Sequence, residues 1–173
     1  TPYYMFRPEC LDRIRAYNPA MRLVAILRDP VARAHSHWRM QVTRGAEDQP
    51  FSRAIREGRA RVSGNLRNFS YVERGFYAAQ IDEMLRRFPR GQMHVLLNED
   101  LAATPDRTLA DLCGFLGARP SARLPQAEEI GYFRSDSALA PPDPEDMAYL
   151  RALYRDDIRR TETLIGRDLS AWR

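Results

Sequence analysis

The stretch Leu27-Arg28-Asp29-Pro30-Val31-Ala32-Arg33-Ala34-His35-Ser36-His37-Trp38 concentrates groups suited to holding an anion. Arg28 closes an apolar run, and Ser36 lies about two helical turns beyond Asp29 on the same helix face. A guanidinium grips a phosphate through two parallel charge-assisted hydrogen bonds, and a nearby hydroxyl supplies another. On the residues alone, two readings stand. One is an anion site; the other pairs Arg28 with a carboxylate and packs Ser36 against a sheet. His35 and His37 flank Ser36 on other helix faces, and His94 falls in a later strand, so all three read as structural. Glu99-Asp100 reads as a strand end that orders the loop beside it, not as a catalytic carboxylate pair.

The elements that position these groups follow from apolar spacing. Residues 22–27 form a short continuous apolar run, which predicts a strand buried on both faces. Asp29-Pro30 supplies an N-cap and a first-turn proline, so a helix follows through about Val42. Residues 43–70 are polar and rich in Arg, Gly and Ser; they read as a mobile excursion with a short helix around 50–58. Ile81, Met84, Leu85 and Phe88 recur at helical spacing, residues 92–97 form a second buried strand, and Thr104-Pro105 opens a helix closed by Gly117. Its face includes Cys113, expected in the core. Residues 119–144 read as irregular, and a last amphipathic helix runs from about Pro144 to Ile165. Strands alternating with helices predict an α/β fold with a parallel sheet flanked by helices. Two strands are few for such a sheet.

The chain has 173 residues, 44% hydrophobic and 29% charged, which suits one soluble domain over 1–173. No apolar run approaches the ~18 residues that span a bilayer, and the first residues lack the pattern of a secretory signal. Cys10 and Cys113 make neither a metal spacing nor a disulfide framework, which points to a reduced, cytoplasmic setting. The net charge is +4, and all 27 basic residues are arginine. This bias reads first as a coding preference, but it also means that any step needing a titrating lysine has none here. The charge is spread without interleaved aromatics, so a nucleic-acid-binding module is the weakest of the readings and no nucleic-acid partner is expected.

The ordered series extends further: Gly75-Phe76-Tyr77-Ala78-Ala79-Gln80-Ile81, Phe88-Pro89-Arg90-Gly91-Gln92-Met93, Glu99-Asp100-Leu101, Pro105, Phe115-Leu116-Gly117 and Gly166-Arg167-Asp168-Leu169-Ser170-Ala171-Trp172. With Arg28 and Ser36 eight residues apart, this series resembles the sulfotransferases that use 3′-phosphoadenosine 5′-phosphosulfate (PAPS). The branch holding heparan sulfate sulfotransferases and their bacterial relatives is the most similar. The resemblance implies a P-loop-NTPase-like sulfotransferase fold. It implies that Arg28 and Ser36 bind the cofactor's 3′-phosphate and that Arg74 lies near the nucleotide; the family's basic C-terminal cofactor loop is not evident, and Arg134 is either its substitute or an exposed loop arginine. Thr1-Pro2-Tyr3-Tyr4 is similar to a segment lining the acceptor site, so Tyr3 and Tyr4 are either acceptor contacts or packing residues. Arg53, Arg56, Arg59, Arg61 and Arg67 form either a basic rim facing an acceptor or a solvated face.

The family's first strand, its glycine-rich loop for the 5′-phosphosulfate and its general base are expected ahead of Thr1, so the domain reads as N-terminally incomplete. The function implied is transfer of a sulfuryl group from PAPS to an acceptor hydroxyl or amine, leaving adenosine 3′,5′-bisphosphate and requiring no metal. The alternative is a catalytically inactive nucleotide-binding remnant of the fold. Acceptors in the family include carbohydrates, lipids, peptides and small natural products. No catalytic base and no oligomeric state is legible.

Overall fold

The computed structural model describes residues 2–62, 66–119 and 141–173. Two short helices come first, α1 (Pro2–Phe6) and α2 (Pro8–Tyr17), followed by strand β1 (Leu23–Leu27). Helix α3 (Pro30–Thr43) starts where its sequence says it must: the Asp29 carboxylate accepts from Val31 N at 2.7 Å and Ala32 N at 3.0 Å, with Pro30 at the first helical position. Then come α4 (Phe51–Val62), α5 (Leu66–Phe69), α6 (Tyr77–Arg87), strand β2 (Met93–Leu97), α7 (Asn98–Ala103), α8 (Pro105–Leu116) and α9 (Pro144–Ile165). Gly117 and Gly166 close α8 and α9 in the left-handed conformation, at φ of 69° and 66°.

β1 and β2 pair in parallel, from Leu23 opposite Met93 to Leu27 opposite Leu97. The alternation of a strand divides the sheet into two faces. Leu23, Ala25 and Leu27 share theirs with Met93, Val95 and Leu97, and that face meets the helices. Leu27, Val31, Tyr77, Ile81, Met84, Leu150, Tyr154 and Ile158 belong to one buried cluster there. α9 contributes through Leu150, Tyr154, Ile158, Thr161 and Ile165, a stripe at helical spacing. On the other face, His94 stacks on Phe115 of α8 with ring centroids 5.0 Å apart. Val24 and Ile26 stay 41% and 57% exposed. The expectation of a strand buried on both faces is therefore corrected: β1 buries the face carrying Ala25 and Leu27, while Val24 and Ile26 lie exposed on the other.

Two further expectations change. Residues 43–62 are no loose excursion. Phe51, Ala54 and Ile55 are buried on one side of α4. The Glu47 carboxylate, ahead of that helix, accepts from Tyr71 Oη and Arg61 Nη2, each at 2.9 Å. Three apolar residues at helical spacing outweigh a polar composition when the remaining charges find partners. Conversely, Cys113 is only half-buried, and Thr108 is the one buried residue of α8, because that helix lies on the more open face of the sheet.

Candidate functional site

The site is built where β1 ends and α3 begins. Open α/β sheets leave a crevice outside the carboxyl ends of their strands, where loop backbone and a helix N-terminus converge. Four hydrogen bonds hold this junction. Asp29 caps α3 as described. The Asp29 N–H donates to Glu99 Oε1 at 3.1 Å, tying the end of β1 to the first turn of α7, which follows β2 directly. Tyr77 Oη, from the first turn of α6, donates to the Arg28 carbonyl at 2.8 Å. Burial pushes the Tyr77 hydroxyl up to about 12, so it remains a donor throughout the physiological range.

Around this junction lies a cavity of about 320 Å³. Arg28 and Ser36 both line it, together with Asp29, His35, Arg39 and Arg151. Ser36 is exposed on α3, and among the described residues the Arg28 guanidinium pairs with no carboxylate. The two residues expected at the 3′-phosphate thus share one opening. Arg39 sits three residues beyond Ser36 on the same helix face, a signal already available in the sequence. Arg151 comes from α9, and nothing local in the sequence relates it to Arg28. Tyr77 stands in the Gly75-Phe76-Tyr77 series, but nothing local ties it to Arg28 either.

The cavity's donor set fits a phosphate. Three guanidiniums and a hydroxyl face the opening. The one carboxylate among the described lining residues, that of Asp29, is engaged with the backbone of α3. Guanidinium forks match tetrahedral oxyanions better than any other side chain does. At this size the cavity accommodates the phosphate end of a nucleotide, with the remainder extending beyond it. Among the described residues, no group of three or more His, Cys, Asp or Glu is arranged to hold a metal ion.

The other expected site residues lie elsewhere. Arg74 is buried, with its guanidinium 5.4 Å from the Tyr3 ring centroid and 5.6 Å from that of Phe6. It stacks on α1 and does not line the cavity. Tyr3 also receives a hydrogen bond from Arg7 at 3.4 Å. Tyr4 is 54% exposed beside a shallow opening lined by Cys10, Arg13, Ile14, Tyr17 and Met21. Arg134 lies outside the described residues.

The arginines of α4 have partners: Arg53 bonds Glu57 at 2.7 Å, Arg56 pairs with Asp146, and Arg61 pairs with Glu47 at 2.9 Å. This neutralisation favours a structural face over a basic rim; the side chains of Arg59 and Arg67 are outside the described set. Asp100 is a structural tie, pairing with Arg167 at 2.7 Å. His35 packs between Trp38 and Phe51 while also lining the cavity, and His37 lies against Tyr71 with centroids 4.8 Å apart.

Comparison with known proteins places this arrangement. Residues 2–121 match the model of the sulfotransferase family. The mouse heparan sulfate glucosamine 3-O-sulfotransferase 3B1 is 31% identical over 120 residues, covering 69% of this chain and 30% of that protein. Human carbohydrate sulfotransferase 15 is 26% identical over 187 residues, covering 94% of this chain and 33% of its own length. Among solved structures, a sulfotransferase from Alicyclobacillus acidocaldarius superposes with a TM-score of 0.84 at 30% identity, over 98% of this chain and 64% of that one. The sulfotransferase domain from the curacin biosynthetic pathway, at 19% identity and a TM-score of 0.54, shares the fold. The chain thus spans about a third of the length of the curated relatives it matches. With its parallel sheet, flanking helices and matched sequence, the chain belongs to the sulfotransferase family.

Proposed function

We propose that this protein serves sulfuryl transfer from PAPS to an acceptor hydroxyl or amine, and that Arg28 and Ser36 hold the 3′-phosphate of the nucleotide. The observation that carries this reading is the shared cavity at the end of β1. It brings an arginine that has no carboxylate partner among the described residues and an exposed serine to one opening, beside the N-terminus of α3. The nucleotide supplies the activated sulfuryl group. The chain's own residues anchor it away from the reacting sulfur, so their contribution is positioning, which can supply a large share of a transfer reaction's acceleration. Asp29, Glu99 and Tyr77 fix the backbone from which Arg28 reaches the phosphate.

The acceptor we assign is a carbohydrate, supported by relatives whose names specify heparan sulfate glucosamine and carbohydrate. Tyr3 and Tyr4, on α1, are the acceptor-side contacts in this reading. Arg74 supports Tyr3 by stacking rather than by touching the nucleotide. The free cysteines Cys10 and Cys113 support a cytoplasmic setting; among the described residues, no helix is long and apolar enough to cross a membrane.

The test is incubation with PAPS carrying labelled sulfur and a glucosamine-containing polysaccharide. Label on the saccharide that disappears with Arg28→Ala supports the reading. Nucleotide binding without transfer to any hydroxyl or amine acceptor would assign the chain to the inactive, nucleotide-binding role instead.

A further inference from the structure

The cavity at the end of β1 carries more positive charge than one guanidinium supplies. Arg28, Arg39 and Arg151 line it, and the one carboxylate among the described lining residues, Asp29, is turned to the amides of Val31 and Ala32. A phosphate monoester at neutral pH carries nearly two negative charges. Arg28 alone neutralises one of them, so a cavity built for that group needs a second cation opposite the first.

Arg151 is placed to be that cation. It lies one position past Leu150, in the buried stripe of α9, and four residues beyond Met147. The pair Met147 and Arg151 therefore shares a helix face, and both line the cavity. Farther along α9, Arg159 bonds Asp156 and Arg160 pairs with Asp82. Among the described residues, Arg151 has no such carboxylate. It lines the opening from α9 while Arg28 lines it from the end of β1, so a phosphate seated there would be held from two separate elements.

Resting on the nucleotide reading above, we infer that Arg151 is a specificity-determining residue that binds the 3′-phosphate opposite Arg28 and selects nucleotides bearing it over their 3′-hydroxyl counterparts. The same contact ties α9 to the nucleotide, which gives the last helix a part in binding beyond its packing.

The experiment is calorimetric titration of the wild type, Arg151→Gln, Arg151→Lys and Arg28→Ala with adenosine 3′,5′-bisphosphate and with adenosine 5′-monophosphate. A charge-assisted hydrogen bond contributes about 1.5–3 kcal/mol, so Arg151→Gln is expected to weaken the bisphosphate roughly 10- to 100-fold. Its affinity for the monophosphate should stay within about twofold of wild type on the same scale. Arg151→Lys, which keeps the charge but loses the fork, should recover part of the loss. Melting curves without nucleotide check that these exposed substitutions leave the fold intact. Unchanged bisphosphate affinity in Arg151→Gln, with a large loss in Arg28→Ala, would overturn the inference and leave the nucleotide reading standing. Equal losses for both nucleotides in Arg151→Gln would overturn the claim of selectivity. No response to Arg28→Ala, or no bisphosphate binding by the wild type, would overturn the nucleotide reading and this inference with it.

Discussion

Tyr77 donates its hydroxyl to the carbonyl of Arg28 across 2.8 Å, so the first turn of α6 holds the backbone from which the site arginine projects. The tyrosine is 4% exposed, and its removal leaves that carbonyl without its side-chain donor. Tyr77→Phe is expected to cost about 1–3 kcal/mol of stability by denaturant titration. Affinity for adenosine 3′,5′-bisphosphate should fall several-fold as Arg28 loses its fixed origin. Wild-type values for both would show that this bond does not position the site.

Gly75 leaves room for the ring of Tyr154. A Cβ at residue 75 would lie 2.5 Å from Tyr154 Cζ and 2.6 Å from its Oη, closer than packed atoms tolerate. Tyr154 cannot withdraw easily, because it is fully buried and its hydroxyl donates to the Val72 carbonyl at 2.8 Å. Gly75→Ala is expected to destabilise the protein by roughly 1–3 kcal/mol or more through overpacking. Adding Tyr154→Leu should return part of that loss, and two effects that merely sum would contradict the contact.

Helix α6 receives its cap from another helix. The Asp157 carboxylate, on α9, accepts from Tyr77 N at 2.8 Å and Ala78 N at 3.3 Å. Burial raises its pKa, and the same backbone bonds pull it back. Asp157→Ala should cost about 1–2 kcal/mol, the usual range for a lost cap. Asp157→Asn keeps an acceptor and should cost less; equal costs would point to packing instead.

The local elements were legible because their signals are local. Asp29-Pro30, Thr104-Pro105 with Gly117, and Pro144 with Gly166 mark helix ends in the sequence, and the observed bounds fall there. The spacing of Arg28 and Ser36 was equally visible, since β1 and α3 are adjacent in the chain. Partners brought by the fold were not visible. Asp157 capping α6, Tyr77 holding Arg28 and Arg151 lining the cavity all join distant segments, and no spacing rule connects them. α4 was underestimated because its buried Phe51, Ala54 and Ile55 lie among arginines that read as solvent-facing until Glu47 and Asp146 supply partners. α1 and α2 left no clear periodic mark.

His37 should make the fold acid-sensitive. Burial, reinforced by Arg33, Arg74 and Arg44, drives its pKa down to about 3, so the folded imidazole is neutral. The unfolded chain takes up a proton below about 6.5, where the folded chain does not. The stability contributed by this difference is therefore complete above that pH and is lost as pH falls toward 3. Between pH 7 and pH 4, wild type should lose roughly 3 kcal/mol more than His37→Gln, which has no proton to gain. Parallel stability profiles would contradict a buried neutral imidazole.

The most direct measurement is calorimetric titration of the chain with adenosine 3′,5′-bisphosphate, run beside Arg28→Ala and Ser36→Ala. The account predicts binding by the wild type, loss of about two orders of magnitude or more in Arg28→Ala, and a loss nearer tenfold in Ser36→Ala, whose neutral hydroxyl contributes less. A folded wild-type chain that does not bind the bisphosphate, or an Arg28→Ala variant that binds as well as wild type, would contradict it.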